Sequence, residues 1–333
     1  MRVLLVPGPR RIEIAERERA TPGAGEVLVR VRFGGLCGTD LHVYQGAFGV
    51  FPATLGHDVV GEIVETGTGV ETGRVGERVT VDPAACCVRA ATRGSVCAAC
   101  ARGATNLCAH GSYMGITAPG AFQEWITVPS ARAVTLPDAI DDRTATVLEP
   151  VVVALHLMEQ IADRPGPVLL VGAGPIGAVA AVLLARAGRE VVAIEPIEAR
   201  RRMALELGAP VCVPPDEIPP RGYRVIVEAS GHPSATATVL AHAGPGATVV
   251  LVGGPIELPG RAILTRELEV RAVKGGRGLY PQAIEVVARG DVAPGRLISH
   301  VWPAREAAVA FAFVDANPAV TRGALDFSQA WTT

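Results

Sequence analysis

The cysteines of this 333-residue chain are crowded: of seven, Cys86, Cys87, Cys97, Cys100 and Cys108 fall within 23 residues. Cys97-x-x-Cys100 is followed, after a gap of seven residues, by Cys108, and Cys86 or Cys87 stands upstream. Four thiolates on one short loop make a closed tetrahedral zinc site, which stabilises a segment that has no apolar period of its own. Free buried thiols are the alternative, but this crowding, in a chain without a secretory start, points to metal rather than to disulfides. Cys37 and His57 are of another kind. Each stands beside a glycine at the end of an apolar strand, as ligands of a zinc with an open position would. Taken singly, a buried thiol and a hydrogen-bonded core histidine would account for them; the case rests on the company they keep.

A third constellation is Gly172-x-Gly174-x-x-Gly177, preceded by the apolar run from Val168 and followed by an Ala-rich helix. A second apolar run, Val191 to Ile194, ends on Glu195, about twenty residues past the glycines, which completes the fingerprint of a dinucleotide-binding βαβ unit. Gly172 permits the tight turn, Gly174 lets a pyrophosphate approach, and Gly177 lets the helix pack on the sheet. Pro175 and Ile176 open that helix, whose N-terminal N–H groups and dipole favour phosphate. Glu195 would take the ribose hydroxyls and repel a 2′-phosphate, which favours NAD over NADP. Arg200 lies five residues on, where it would soften that preference or simply form part of a solvated helix face.

Positioning these groups requires two kinds of architecture. From Met1 to about Leu136 the chain reads as strands with turn punctuation, including an alternating stretch at Glu26 to Phe33 and strands at Val59 to Thr66 and Glu77 to Val81. Asp141-Asp142 signals a helix over Arg143 to Ala162, bent by Pro150. Beyond it, strands and helices alternate: a helix at Glu198 to Leu207, a strand at Val225 to Glu228, a helix at Ser234 to Ala243 and strands at Thr248 to Val252 and Leu268 to Val273. This α/β pattern predicts a doubly wound parallel sheet. The tail from Leu297 reads as a strand and a helix. Pro167 to Ala185 is uncharged over the length of a membrane span, but Pro175 and three glycines mark it as a buried strand and helix.

Composition narrows the function further. Apolar residues make up 49% of the chain, enough for a sizeable core without staples. A net charge of −2 with no basic block makes nucleic acid and anionic membrane surfaces poor partners. Met1 to Val6 lacks the basic start and long apolar core of a signal peptide, so the expected location is cytoplasmic. Lys274 is the one lysine among 31 basic residues, which argues against lysine-centred chemistry.

Together the motifs resemble, end to end, the zinc-dependent medium-chain alcohol dehydrogenase family. Cys37-Gly38-Thr39-Asp40-Leu41-His42 resembles its catalytic-cysteine motif, and Gly56-His57-Asp58-Val59-Val60-Gly61 is similar to its GHE-x-x-G motif. The resemblance implies a GroES-like β-rich catalytic domain over 1–145 with a structural zinc lobe at about 86–108. It implies a Rossmann NAD-binding domain over 146–292 and a return of 293–333 to the catalytic domain. Cys37 and His57 then match ligands of a catalytic zinc, and Glu149 takes the third position, as in polyol dehydrogenases. Thr39 matches the hydroxyl that accepts the substrate proton, and His42 the group that relays it to solvent. A zinc so held keeps a position open and acts as a Lewis acid, and a neutral hydroxyl needs a titrating histidine behind it.

Two departures from the family stand out. Asp58 replaces the usual glutamate and is one methylene shorter, so it is expected behind the ligands or as an exchangeable ligand. Gly94 occupies the place of the lobe's first cysteine, so Cys87, or Cys86, must join Cys97, Cys100 and Cys108 across an insertion. The implied activity is NAD-dependent oxidation of a secondary alcohol in a polyol, sugar, cyclitol, aminocyclitol or β-hydroxy amino acid. An NADPH-dependent aldehyde or ketone reductase, or a catalytically silent NAD- or zinc-binding protein, are the alternatives. A homodimer or homotetramer is the family expectation. Tyr44, Phe48 and Phe51 are candidate pocket residues, if they are not packing.

Overall fold

The alternation at Glu26 to Phe33 extends through Leu36 into an 11-residue strand in the middle of a seven-stranded sheet. On one side lie Asp58–Thr66, Arg78–Val81 and Ala133–Thr135; on the other lie Arg322–Asp326 and Ile298–Pro303, while Trp125–Pro129 pairs along the first half. The tail strands Arg322–Asp326 and Ile298–Pro303 pair parallel with one another. Inward-facing Val27, Val29, Val31, Ile63, Val79 and Val81 pack with Phe122, Phe311 and Leu325, all at most 2% exposed. A core of this kind draws its stability from apolar area removed from water. Tyr44 belongs to it: its ring lies 5.3 Å from that of Phe311 and it is 5% exposed, so it is packing rather than a pocket wall. Phe51 is half-buried against the same core.

The computed structural model describes all residues except Phe48, Val50, Pro52, Ala91, Thr92, Arg93, Arg221, Pro255, Ala330, Thr332 and Thr333, so the pocket candidate Phe48 lies outside the described residues. The chain divides into two compact units, Met1–Leu148 with Ile298–Thr333, and Glu149–Leu297. In the second unit six parallel strands run in the order Cys212–Val213, Val191–Ile194, Val168–Val171, Tyr223–Glu228, Ala243–Leu251, Glu269–Ala272. Numbered along the chain that order is 3-2-1-4-5-6, the arrangement of doubly wound dinucleotide-binding sheets. Val168–Val171 is buried throughout, as a central parallel strand must be.

The single bent helix expected over Arg143 to Ala162 is instead two helices, Asp142–Ala145 and Leu148–Gln160. Asp141 caps the first by accepting from the Thr144 N–H at 2.6 Å. Pro150 sits in the first turn of the second, where its missing N–H breaks no helical bond. Among the described residues no helix is long and apolar enough to cross a membrane.

Candidate active site

Strand register assembles the first cluster. Antiparallel pairing sets Gly35 opposite Asp58, so Cys37, one residue past one strand's end, meets His57, one residue before the other's start. A thiol, an imidazole nitrogen and a carboxylate oxygen from Cys37, His57 and Asp58 all lie within 4.8 Å of one another. Gly56 makes the entry possible: its φ is +94°, and a Cβ there would lie 2.2 Å from Phe122 Cδ1.

Two residues that the sequence did not single out for this role fix the cluster. Asp40, 1% exposed, accepts from the N–H groups of Cys37 and Gly56, each at 3.0 Å, and its Oδ1 lies 3.5 Å from His57 Nδ1. It therefore ties the Cys37 and His57 segments together and orients the imidazole. Arg322, on a tail strand, forms an ion pair with Asp58 in which the two side chains are 3% and 1% exposed. Gly35 leaves the guanidinium its room, since a Cβ there would come within 2.9 Å of Arg322 Nη2. The half-buried ring of Tyr113 meets His57 edge-on at 5.7 Å. Asp40 stands three residues past Cys37, a cue readable in the sequence only as a helix cap; Arg322 and Tyr113 carried no local signal.

The electrostatics suit a cation. Burial opposes charge on His57, but Asp40, Asp58 and Cys37 outweigh it and raise its pKa well above the ordinary value. Burial likewise opposes charge on Asp40, yet His57 and the two N–H donors hold its pKa low. Asp58 Oδ1 is buried without a hydrogen-bond partner among the described residues. A borderline-soft divalent ion finds there the thiolate, imidazole and carboxylate donors that it prefers. Thr39 is half-buried in the first turn of the helix Gly38–Gln45, and His42 is exposed three residues on, the spacing of one helix face. Glu149 is half-buried in the first turn of Leu148–Gln160.

The second cluster selects one of two adjacent cysteines. The thiols of Cys87, Cys97, Cys100 and Cys108 lie within 4.8 Å of one another, whereas Cys86 is buried outside the group. The N–H groups of Cys100 and then Ala109 pull the Cys97 thiol down to about 6, while burial pushes Cys100 up to about 12.

In the second unit the glycine turn stands at the carboxyl end of Val168–Val171. Gly172 has a φ of +94°, and a Cβ on Gly177 would lie 2.0 Å from Gly172 O, so turn and helix close on one another. Over Gly174 a Cβ would meet nothing within 4 Å, which leaves open the approach a pyrophosphate needs. Pro175 and Ile176 begin the helix Pro175–Arg186. Glu195, 4% exposed, accepts from Ala173 N–H at 3.0 Å and Ile197 N–H at 3.1 Å, which holds its carboxylate against the turn. Arg200 is half-buried, and its Nε has no hydrogen-bond partner among the described residues. Glu228 went unremarked in the sequence. Fully buried, it accepts from the N–H groups of Ser230 and Gly231 at 2.7 and 2.9 Å. Ser230 in turn packs where a Gly172 side chain would be, 2.7 Å from such a Cβ.

Comparison with known proteins shows the family and the fold. Residues 23–138 match the alcohol dehydrogenase GroES-like domain, and residues 175–289 match the zinc-binding dehydrogenase family. The chain is 32% identical to 2-dehydro-3-deoxy-L-galactonate 5-dehydrogenase of Pseudoalteromonas atlantica, over 93% of this chain and 94% of that protein. It is 32% identical to D-xylulose reductase A of Aspergillus oryzae, over 89% and 88%. It also resembles the crystal structure of a short chain alcohol dehydrogenase (rspB) from Escherichia coli CFT073 complexed with the cofactor NADH. That likeness has a TM-score of 0.88 and 31% identity, and it covers 98% of this chain and 99% of the other.

Proposed function

The chain belongs to the zinc-binding alcohol dehydrogenase family, and from that premise we propose that it oxidises a secondary alcohol of a polyhydroxylated small molecule with NAD as hydride acceptor. Polyols, sugars and their acids, cyclitols and aminocyclitols, and β-hydroxy amino acids make up the substrate class, in keeping with the sugar-acid and pentulose enzymes it resembles. The observation that carries the reading is the Cys37, His57 and Asp58 cluster, with a buried carboxylate oxygen that has no hydrogen-bond partner among the described residues.

Zinc held by Cys37, His57 and a carboxylate, from Asp58 or from Glu149 at the family position, would supply Lewis-acid chemistry toward a substrate hydroxyl. Asp40 holds the His57 ring in place, and Arg322 competes for Asp58. The Thr39 hydroxyl accepts the substrate proton, and exposed His42 passes it to solvent. Gly172, Gly174 and the start of the helix at Pro175–Gly177 take the pyrophosphate, and Glu195 takes the ribose hydroxyls. Cys87, Cys97, Cys100 and Cys108 hold a second, structural zinc.

The preference for NAD rests on Glu195, whose carboxylate would repel a 2′-phosphate; an NADPH-dependent carbonyl reductase would need Arg200 to outweigh it. The test is a screen of polyols, sugar acids, cyclitols and amino alcohols that follows NADH absorbance, repeated with NADP. Turnover faster with NADP than with NAD would overturn the cofactor assignment. Unchanged turnover in Cys37→Ala would overturn the metal reading.

A further inference from the structure

The lobe cysteines come from two arms, and Cys87 comes from the irregular one. Relative to the family spacing, the upstream thiol is displaced across an insertion, on a chain that also carries an adjacent cysteine. Something other than spacing must therefore decide which thiol reaches the cluster. The base of the lobe is a two-residue ribbon in which Ala84 and Ala85 pair with Tyr113 and Ser112. Cys86 follows, and Cys87 opens a single helical turn over Cys87–Arg89, closed by Arg89 N–H donating to Cys86 O at 3.1 Å. Within that turn the two cysteines diverge: Cys86 is 5% exposed outside the cluster, and Cys87 Sγ lies 3.3 Å from Cys108 Sγ.

The Arg89 side chain ties this turn at two points. One guanidinium nitrogen forms an ion pair with Asp82, which is 3% exposed just past the strand Arg78–Val81. The other donates to Thr105 Oγ1 at 3.4 Å. Thr105 opens the turn that ends at Cys108, whose N–H donates to Thr105 O at 3.2 Å. Asp82 is itself anchored. Its Oδ1 accepts from Ala84 N–H at 2.9 Å, and the backbone carbonyls of Asp82 and Pro83 accept from Arg132 at 2.8 and 2.9 Å. Arg89 thus links the Cys87 arm, the Cys108 arm and the sheet through one planar fork, a geometry that lysine does not reproduce.

We infer that Arg89 is a clamp that makes Cys87, and not Cys86, the fourth thiolate of the lobe, in place of the cysteine that Gly94 displaces. The loop-ordering entropy of bringing a displaced cysteine to the cluster is met by the Arg89 contacts rather than by the metal alone. This inference rests on the reading that the lobe holds zinc. Arg89 is a positioning residue, and no part of it belongs to the catalytic cluster.

The experiment uses the full-length chain with Cys37→Ala, reloaded with cobalt(II), so that the lobe supplies every thiolate-to-cobalt charge-transfer band. The parent should give a four-thiolate spectrum. Cys87→Ser and Arg89→Ala should each lose about a quarter of the charge-transfer intensity, one thiolate in four. Arg89→Ala should also lose cobalt to a chelator about 10-fold or more faster, as the loss of partners behind a metal site does. Thr105→Val, which severs one arm only and keeps the fold if Arg89→Ala does not, should speed cobalt loss by a smaller factor. Cys86→Ser should leave the spectrum unchanged. The inference is overturned if Arg89→Ala and Thr105→Val keep the four-thiolate spectrum and the parent's cobalt retention, or if Cys86→Ser rather than Cys87→Ser loses a thiolate. A parent chain with no thiolate-to-cobalt band overturns the reading of the lobe itself, a different result from either of these.

Discussion

Replacing Arg322 by methionine isolates the buried ion pair at the Cys37, His57 and Asp58 cluster. Methionine fills much of the volume of the arginine stem but removes the cation, which leaves the Asp58 carboxylate, 1% exposed, without its nearest counter-charge, the His57 ring lying farther off at 3.9 Å. Removing one partner of a buried ion pair costs roughly 3–5 kcal/mol, because the remaining charge stays desolvated. Whole-domain stability is about 5–15 kcal/mol, so this one change should consume a large share of it. The unfolding constant should rise by about two to four powers of ten, at 1.4 kcal/mol per tenfold. The assay is denaturant unfolding of chelator-treated protein followed by tryptophan fluorescence. All three tryptophans, Trp125, Trp302 and Trp331, lie in the unit that holds the pair, so the signal reports that unit and not the other. Asp58→Asn combined with Arg322→Met should cost much less than the sum of the two, because no buried charge is then left alone. A loss under about 1 kcal/mol for Arg322→Met, the worth of an exposed pair, would refute the reasoning; so would simple additivity in the double variant.

Three further outcomes are expected. Burial raises the pKa of Glu228 against the hydrogen bonds from Ser230 and Gly231; the native state then binds more protons than the unfolded one between the two pKa values, and stability falls as pH rises through that window. Glu228→Gln should flatten this fall in melting temperature at pH values above the ordinary glutamate pKa, and an unchanged slope would contradict it. Gly174→Ala, with open space around its Cβ, should raise the KM for NAD while leaving melting unchanged. Gly177→Ala, whose Cβ would meet Gly172 O at 2.0 Å, should lower the melting temperature; equal melting of the two variants would argue against that packing. In chelator-treated protein at neutral pH, iodoacetamide should label Cys97 before Cys100, because the Cys97 thiol is held near 6 and that of Cys100 is raised to about 12; peptide mapping reads the order.

The sequence by itself determined the parts whose requirements are local. The turn at Gly172 to Gly177 is legible because each glycine answers a backbone need within a few residues, and Glu195 follows as the next strand's last word. The alternation of strands and helices fixes a parallel sheet for the same reason, since periodicity is a property of neighbouring residues. Cys37, His57 and the cysteine loop could be singled out by residue type and spacing. Tertiary structure decided what depends on residues far apart in the chain. Arg322 reaches Asp58 across 264 positions, through strand pairing that no local pattern encodes. Asp40, which in sequence reads as a helix cap, becomes the tie between the Cys37 and His57 segments only when Gly56 is brought beside it. Tyr44 turned inward because Phe311 from the tail packs on it. The choice of Cys87 over Cys86 is fixed by a guanidinium held between Asp82 and Thr105, because two adjacent thiols differ only in what their surroundings do with them.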